Sequence, residues 1–440
     1  MKNGLRCMAL LLLLLLFLPS LSLFTLPAFA AEAPELTAVR AAVLYNVEND
    51  CVLYSLHAEE AVYPASSVKL MTAVLAYRAL SDRMQETITI TQRMINGVQG
   101  YRTGFAEGEE VSIESLFYAM LLRGSNDAAY ALACLTADTV SAFVDRMNAY
   151  AKELGMQDTF YLNPGGMHEP QMVTTVNDTL KIALEFAKEE QLLAISSVVK
   201  YIIPENNKSD RRTIYNKNSV VSRFQETKYY YEYARGMNYG STDESGVTCT
   251  SSASHNGLTY IAVVIGGEED PVGGTDYAMT AVKKLLTYGV ENFGYREVIA
   301  LEKPVCEIPV TLSATTDFVL LYPKNGLTVY LPTDVDVDKE IRTSYRLSSE
   351  SLAAPVEKGQ TAGYLNIYYG DTQLGSVELI TGDSVERNSF LYLLENVKEW
   401  SKGRFFRATC IAAVVFTVLY ILISAYIRRR HSKRGRRYRF

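Results

Sequence analysis

Twenty consecutive residues without a charge, Ala408 to Ile427, limit what the far end of this 440-residue chain can fold into. At about 1.5 Å per residue, a helix of that length spans a hydrocarbon core of roughly 30 Å. Eight basic residues and no acid follow between Arg428 and Arg439, against Lys402, Arg404 and Arg407 on the near flank. That asymmetry predicts a stop-transfer helix with a cytoplasmic tail. At the other end, Lys2 and Arg6 precede an apolar run from Cys7 through Phe24, and Ala28-Phe29-Ala30 has the small-x-small pattern of a leader cleavage site. The expectation is a cell-membrane protein with a single pass, residues 31–407 outside the cytoplasm and the C-terminus inside.

Composition supports that division. The chain is 48% apolar and 21% charged, as suits folded globular material with membrane segments. Setting aside eight tail cations and two leader cations takes the net charge from −6 to −16 for residues 31–427. An acidic ectodomain speaks against nucleic acid as a partner. Cys51, Cys134, Cys249 and Cys306 stand at wide intervals with no zinc-ligand spacing, so no metal is expected; disulfides and buried thiols both remain open.

Periodicity divides the rest. Val43-Leu44-Tyr45 and Cys51 to Tyr54 read as strands joined by a polar turn, and Ser66 opens an apolar helix through Leu80. Ser112 is placed to cap a helix ending near Arg123, with further helices over Asp127–Leu135, Thr139–Leu154 and Asp178–Glu190. Gly236–Gly240 and Gly246–Ser252 suggest a hairpin, Tyr260–Ile265 a central strand, and Asp276–Phe293 a closing amphipathic helix. Strands around a helical middle predict an α/β fold, an antiparallel sheet with helices on its faces. The expected boundaries are 1–30 for a signal peptide, 31–298 for the main domain, 299–383 for a small β domain, 384–407 for a linker, 408–427 for the membrane helix and 428–440 for the basic tail.

Chemistry concentrates at Pro64-Ala65-Ser66-Ser67-Val68-Lys69. Residues i and i+3 share a helix face, so the Lys69 amine can lie beside the Ser66 hydroxyl and take its proton if burial keeps it neutral. A second serine-lysine pair, Ser197 and Lys200, leads into a strand-like stretch and lacks this context. None of His57, His168, His255 and His431 stands in a nucleophile-elbow or metal motif. His168 is the best alternative base, with a structural loop role as the simpler reading. Glu48 with Asp50, and Glu59 with Glu60, fit solvated turns better than paired catalytic acids.

Pro64-Ala65-Ser66 with Lys69 and Met71-Thr72 is followed by Leu121-Leu122 before Asn126-Asp127-Ala128-Ala129. Asn163-Pro164 with His168 comes next, then Gly236, Gly240, Thr242-Asp243-Glu244 and Gly246. In this order the chain resembles the D-alanyl-D-alanine carboxypeptidases, low-molecular-weight penicillin-binding proteins of a serine peptidase family. Ala354-Pro355-Val356 with Lys358-Gly359 resembles that family's C-terminal β domain. The resemblance implies a β-lactamase/transpeptidase-like fold followed by the small all-β domain. It makes Ser66 the nucleophile, Lys69 its base, Ser125 and Asn126 the second motif, and Asn238, Tyr239, Gly240 and Ser241 the substrate-binding strand. Backbone N–H groups of Ser66 and Ser241 would hold the oxyanion. A peptidoglycan stem peptide is the implied substrate and β-lactams the implied acylating inhibitors, with no cofactor.

Two departures fall inside that site. The family's Ser-x-Asn is here Gly124-Ser125-Asn126, and its Lys-Thr-Gly is Asn238-Tyr239-Gly240. The missing lysine removes a cation beside the substrate's free carboxylate, where a charge-assisted bond contributes about 1.5–3 kcal/mol and a neutral one about 0.5–1.5. Arg235, three residues along the strand, is expected on the opposite face from Asn238, and Arg123 is a candidate cation. An attenuated peptidoglycan-binding protein and an acyl-serine endopeptidase with altered substrate are the alternatives these changes leave open.

Overall fold

The computed structural model describes residues 33–224 and 226–435, with side chains as far as Arg429. The expected leader lies outside them, as do the tail side chains beyond Arg429. The chain packs as two units, one running to Tyr295 and taking in Tyr330–Val335, the other holding Arg296–Val329 and continuing from Asp336.

The first unit is built on a five-stranded antiparallel sheet of β1 (Ala41–Asn46), β2 (Cys51–Leu56), β3 (Ala234–Thr242), β4 (Gly246–His255) and β5 (Leu258–Gly267), in the order β2-β1-β5-β4-β3. The central strand β5 is apolar at consecutive positions because both of its faces are covered. Ile261, Val263 and Ile265 join a core with the helices on one face, while Tyr260, Ala262 and Val264 join a core with Val282, Leu285 and Leu286 on the other. The register Val43 to Val263 and Leu44 to Ala262 carries the same alternation into β1. Those second-face residues belong to helix α7 (Tyr277–Asn292), whose first turn is capped by the Asp276 side chain accepting from Met279 N–H.

The helical layer holds α1 (Val68–Leu80), α2 (Ile113–Arg123), α3 (Asn126–Ala137), α4 (Val140–Glu153), α5 (Val176–Lys188) and α6 (Glu190–Ser197). α1 is buried along nearly its whole length, which explains a sequence apolar on every side. Ser112, Thr139 and Thr175 cap α2, α4 and α5 through their side-chain oxygens. α6 precedes the strand expected after Ser197, which is present at Lys200–Ile203. Its last residues Ser196 and Ser197 clasp the edge strand: Ser196 Oγ donates to Gly236 O at 2.6 Å and Gly236 N–H donates to Ser197 Oγ at 3.1 Å.

The second unit carries a six-stranded sheet of β6 (Cys306–Thr311), β7 (Phe318–Pro323), β8 (Ile341–Leu347), β9 (Leu352–Ala353), β10 (Thr361–Tyr369) and β11 (Thr372–Thr381), ordered β8-β10-β11-β7-β6-β9. The expected linker is largely helical: α8 (Ser389–Lys402) starts at Asn388, whose side chain accepts from Phe390 and Leu391 N–H. α9 (Arg404–Gly435) contains the apolar run and is long and apolar enough to cross a membrane.

Candidate active site

Ser66 sits in a single 3-10 turn, Ala65–Ser67, that runs directly into α1. Pro64 closes the turn by accepting from both Ser67 N–H (3.0 Å) and Ser67 Oγ (2.7 Å). One turn on, Lys69 Nζ lies 3.4 Å from Ser66 Oγ and donates to Gly165 O at 2.5 Å. Lys69 is 1% exposed. Burial pushes its amine down to about 7 from 10.5. The amine is thus divided between protonated and neutral forms near neutrality, as a base for a hydroxyl requires.

The Gly165 carbonyl is set by a turn that Asn163 organises. Asn163 Oδ1 accepts from the N–H groups of Gly165 (3.2 Å), Gly166 (2.7 Å) and Met167 (3.1 Å), and its Nδ2 donates to Met167 O at 2.9 Å. Thr72 of α1 adds a bond to Pro164 O at 2.8 Å. Gly166 has φ +78°, and a Cβ there would stand 1.8 Å from Ala65 O. The turn is therefore seated directly on the backbone that leads into Ser66. From the other side β3 brings Gly240, where a Cβ would meet Ser66 Oγ at 2.2 Å. A glycine is what lets the strand and the Ser66 hydroxyl come together.

A cavity of about 420 Å³ is lined by Ser66, Lys69, Asn126, His168, Gly240 and Ser241 among others. Asn126 donates through Nδ2 to Gln99 O at 2.8 Å, while its buried Oδ1 has no protein partner among the described residues. The second-motif hydroxyl is elsewhere. Ser125 is fully buried and is not among the cavity's lining residues. Its Oγ donates to Asp127 and accepts from Thr103 N–H at 3.0 Å and Thr103 Oγ1 at 2.8 Å. The one-residue displacement read in the motif thus puts the hydroxyl on Asp127 of α3 and on Thr103.

In the third motif, Asn238 is 2% exposed and both of its side-chain polar atoms lack a protein partner among the described residues. Tyr239 points across the sheet, donating to Asp276 Oδ2 at 2.8 Å beneath α7. The opposite-face expectation for Arg235 is corrected. A β-bulge between Gly236 and Asn238 pairs Arg235 with Ser252 and Asn238 with Thr250, two residues apart and so on one face. Arg235 is nonetheless engaged elsewhere, on Glu190 at 2.6 Å.

Ser197 is structural, donating to Leu193 O at 2.6 Å while Lys200 begins a separate strand. His168 lines the cavity, edge-on to Tyr63 at 4.6 Å, with a buried Nδ1 that has no partner among the described residues. Glu60 pairs with Arg40, Glu48 accepts from Thr259 N–H and Asp50 from Tyr45, each a surface or turn contact. Lys217, which sequence reasoning missed, also lines the cavity. Its position between two asparagines, Asn216 and Asn218, is the signal that marks it as held.

Residues 27–269, more than half of the chain, match the family model described as D-alanyl-D-alanine carboxypeptidase. The chain belongs to the D-alanyl-D-alanine carboxypeptidase family, and is an enzyme of that family. Residues 293–387 match the C-terminal domain of penicillin-binding protein 5. Its relatives include the D-alanyl-D-alanine carboxypeptidase DacF of Bacillus subtilis, 24% identical, with 91% of this chain and 100% of the relative covered. Another is DacC of Escherichia coli, 26% identical over 84% of this chain and 90% of the relative. Among solved structures, DacD from Francisella tularensis superposes with a TM-score of 0.59 at 20% identity, over 81% of this chain and 95% of that one. Penicillin binding protein 6B from Escherichia coli gives 0.58 at 21% identity, over 80% and 98%. The two structures share the penicillin-binding protein fold with this chain, its antiparallel sheet, helices and C-terminal β domain included.

Proposed function

We propose that this carboxypeptidase removes the terminal D-alanine of peptidoglycan stem peptides through an acyl-enzyme on Ser66. The observation that carries the proposal is the buried Lys69 amine, 3.4 Å from Ser66 Oγ and held near 7 by burial. Neutral Lys69 takes the hydroxyl proton as Ser66 Oγ attacks the carbonyl between the two D-alanines. The C–N bond then breaks, the lysine returns a proton to the departing amine, and D-alanine leaves. Water hydrolyses the ester, again giving its proton to Lys69, and the serine is restored. The tight approach of Gly240 to Ser66 puts the Ser241 peptide beside the nucleophile, which supports the N–H groups of Ser66 and Ser241 as donors to the oxyanion. Asn126 orients the peptide from the α3 side, and Asn238, Tyr239 and Gly240 form the strand it lies against. β-Lactams acylate the same hydroxyl. The catalytic unit, residues 31–298, and the β domain of residues 299–383 both lie outside the cytoplasm, anchored to the cytoplasmic membrane by residues 408–427 with the tail inside.

Detergent-solubilised full chain is expected to take up fluorescent penicillin stoichiometrically and to release D-alanine from a pentapeptide, and Ser66→Ala to do neither. A wild-type chain that neither labels nor releases D-alanine refutes the reading.

A further inference from the structure

A carboxypeptidase substrate ends in a free carboxylate only three bonds from the scissile carbonyl carbon, within about 4 Å. Whatever recognises that carboxylate must therefore share the cavity with Ser66. Asp243 and Glu244 line this cavity and oppose an incoming anion, so a cation is required. Asn238 is neutral, Arg235 is paired to Glu190, and Lys69 acts in its neutral form. Two cations remain on the wall, Arg123 and Lys217; each lies over an aromatic ring, and among the described residues neither forms an ion pair.

Their settings differ. The Arg123 guanidinium lies over Tyr101. The Lys217 ammonium is 5.5 Å from the ring centroid of Tyr239, within the third motif itself. Lys217 N–H donates to Leu122 O at 2.8 Å, which ties it to the end of α2 just before the second motif. Its neighbours Asn216 and Asn218 are 2% and 3% exposed. Asn216 Nδ2 donates to Ser196 O and Val198 O, and Asn216 Oδ1 accepts from Asn218 N–H. Asn218 Nδ2 donates to Ser251 Oγ, and its Oδ1 accepts from Val220 N–H. The backbone at 217 is thereby fixed to α2, α6 and β4 at once, as a site that aims a single flexible side chain needs.

We propose that Lys217 is the specificity-determining cation for the substrate's terminal carboxylate, the role the family resemblance assigns to a lysine at position 238. The assignment rests on the carboxypeptidase reading of the site. It explains how a third motif without a charge still serves a free-acid substrate.

The test compares kcat/KM for a diacetylated tripeptide ending in D-alanyl-D-alanine with that for its C-terminal amide, using the full chain. Lys217→Gln is expected to lose about tenfold on the acid, the step from a charge-assisted to a neutral bond, and less than about twofold on the amide. Lys217→Arg is expected to keep the preference for the acid. Activity on the amide reports that the variant is folded. Equal loss on both substrates, or no loss on the acid, overturns the assignment, as does a preference erased by Arg123→Gln and kept in Lys217→Gln. A wild type that prefers the amide overturns the assignment and leaves acyl transfer standing; one that cleaves neither peptide fails the carboxypeptidase reading and takes the assignment with it.

Discussion

At the scale of single residues, the site turns on one proton. With the Lys69 amine lowered to about 7 by burial, penicillin acylation of Ser66 should rise about tenfold per pH unit below 7 and level off above it. A stopped-flow pH profile flat from 5 to 9 would show that another group takes the proton. Stability carries the same signature with a definite sign. Between about 7 and 10.5 the unfolded chain keeps a proton on Lys69 that the folded chain releases, so the burial penalty is full below about 7 and fades as pH rises to 10.5. Lys69→Met should therefore raise the Tm more at pH 6 than at pH 10. Ser66 and Lys69 were legible in the sequence because an i, i+3 relation is local and survives whatever surrounds it. Gly165 O, 96 residues from Lys69, and Lys217 were not, since only the tertiary fold brings them in. Arg235 was misplaced for a related reason: alternation along a strand holds only until a bulge inserts an extra residue.

At the scale of elements, the placing of Gly165 O against Lys69 depends on a turn with no regular structure. Asn163 supplies four hydrogen bonds within it, three accepted and one donated, and is 6% exposed. Asn163→Ala leaves those backbone groups unpaired and is expected to cost about 2–4 kcal/mol, with slower acylation as the Gly165 carbonyl moves off Lys69. Asn163→Asp keeps the acceptor and loses only the donor, so its cost should be clearly smaller. Thermal unfolding and labelling rates check both, and an alanine variant as stable and as fast as wild type would deny the turn this role. The strands and capped helices were visible in the sequence because Ser112, Thr139 and Asp276 sit where periodic runs begin. α6 was not: eight residues give too little periodicity, and its role is to grip β3 through Ser196 and Ser197. The second serine-lysine match thus belongs to the strand's support rather than to chemistry.

For the whole molecule, the question is which segment holds it to a membrane. Two adjacent helices are candidates with different physics. α8 exposes Phe390, Leu393, Leu394, Val397 and Trp400, a stripe at helical spacing, with Glu395, Lys398, Glu399 and Lys402 also along it. Such a helix lies in an interface and binds reversibly, whereas α9, with its charge-free run, is suited to span the bilayer. The full chain should therefore stay in the membrane pellet through carbonate extraction, and a chain ending at Lys402 should come off while still labelling with penicillin, because every residue lining the Ser66 cavity precedes β4. If the shortened chain resists carbonate as firmly as the full one, α8 rather than α9 is the anchor, and the topology drawn from the basic tail fails with it.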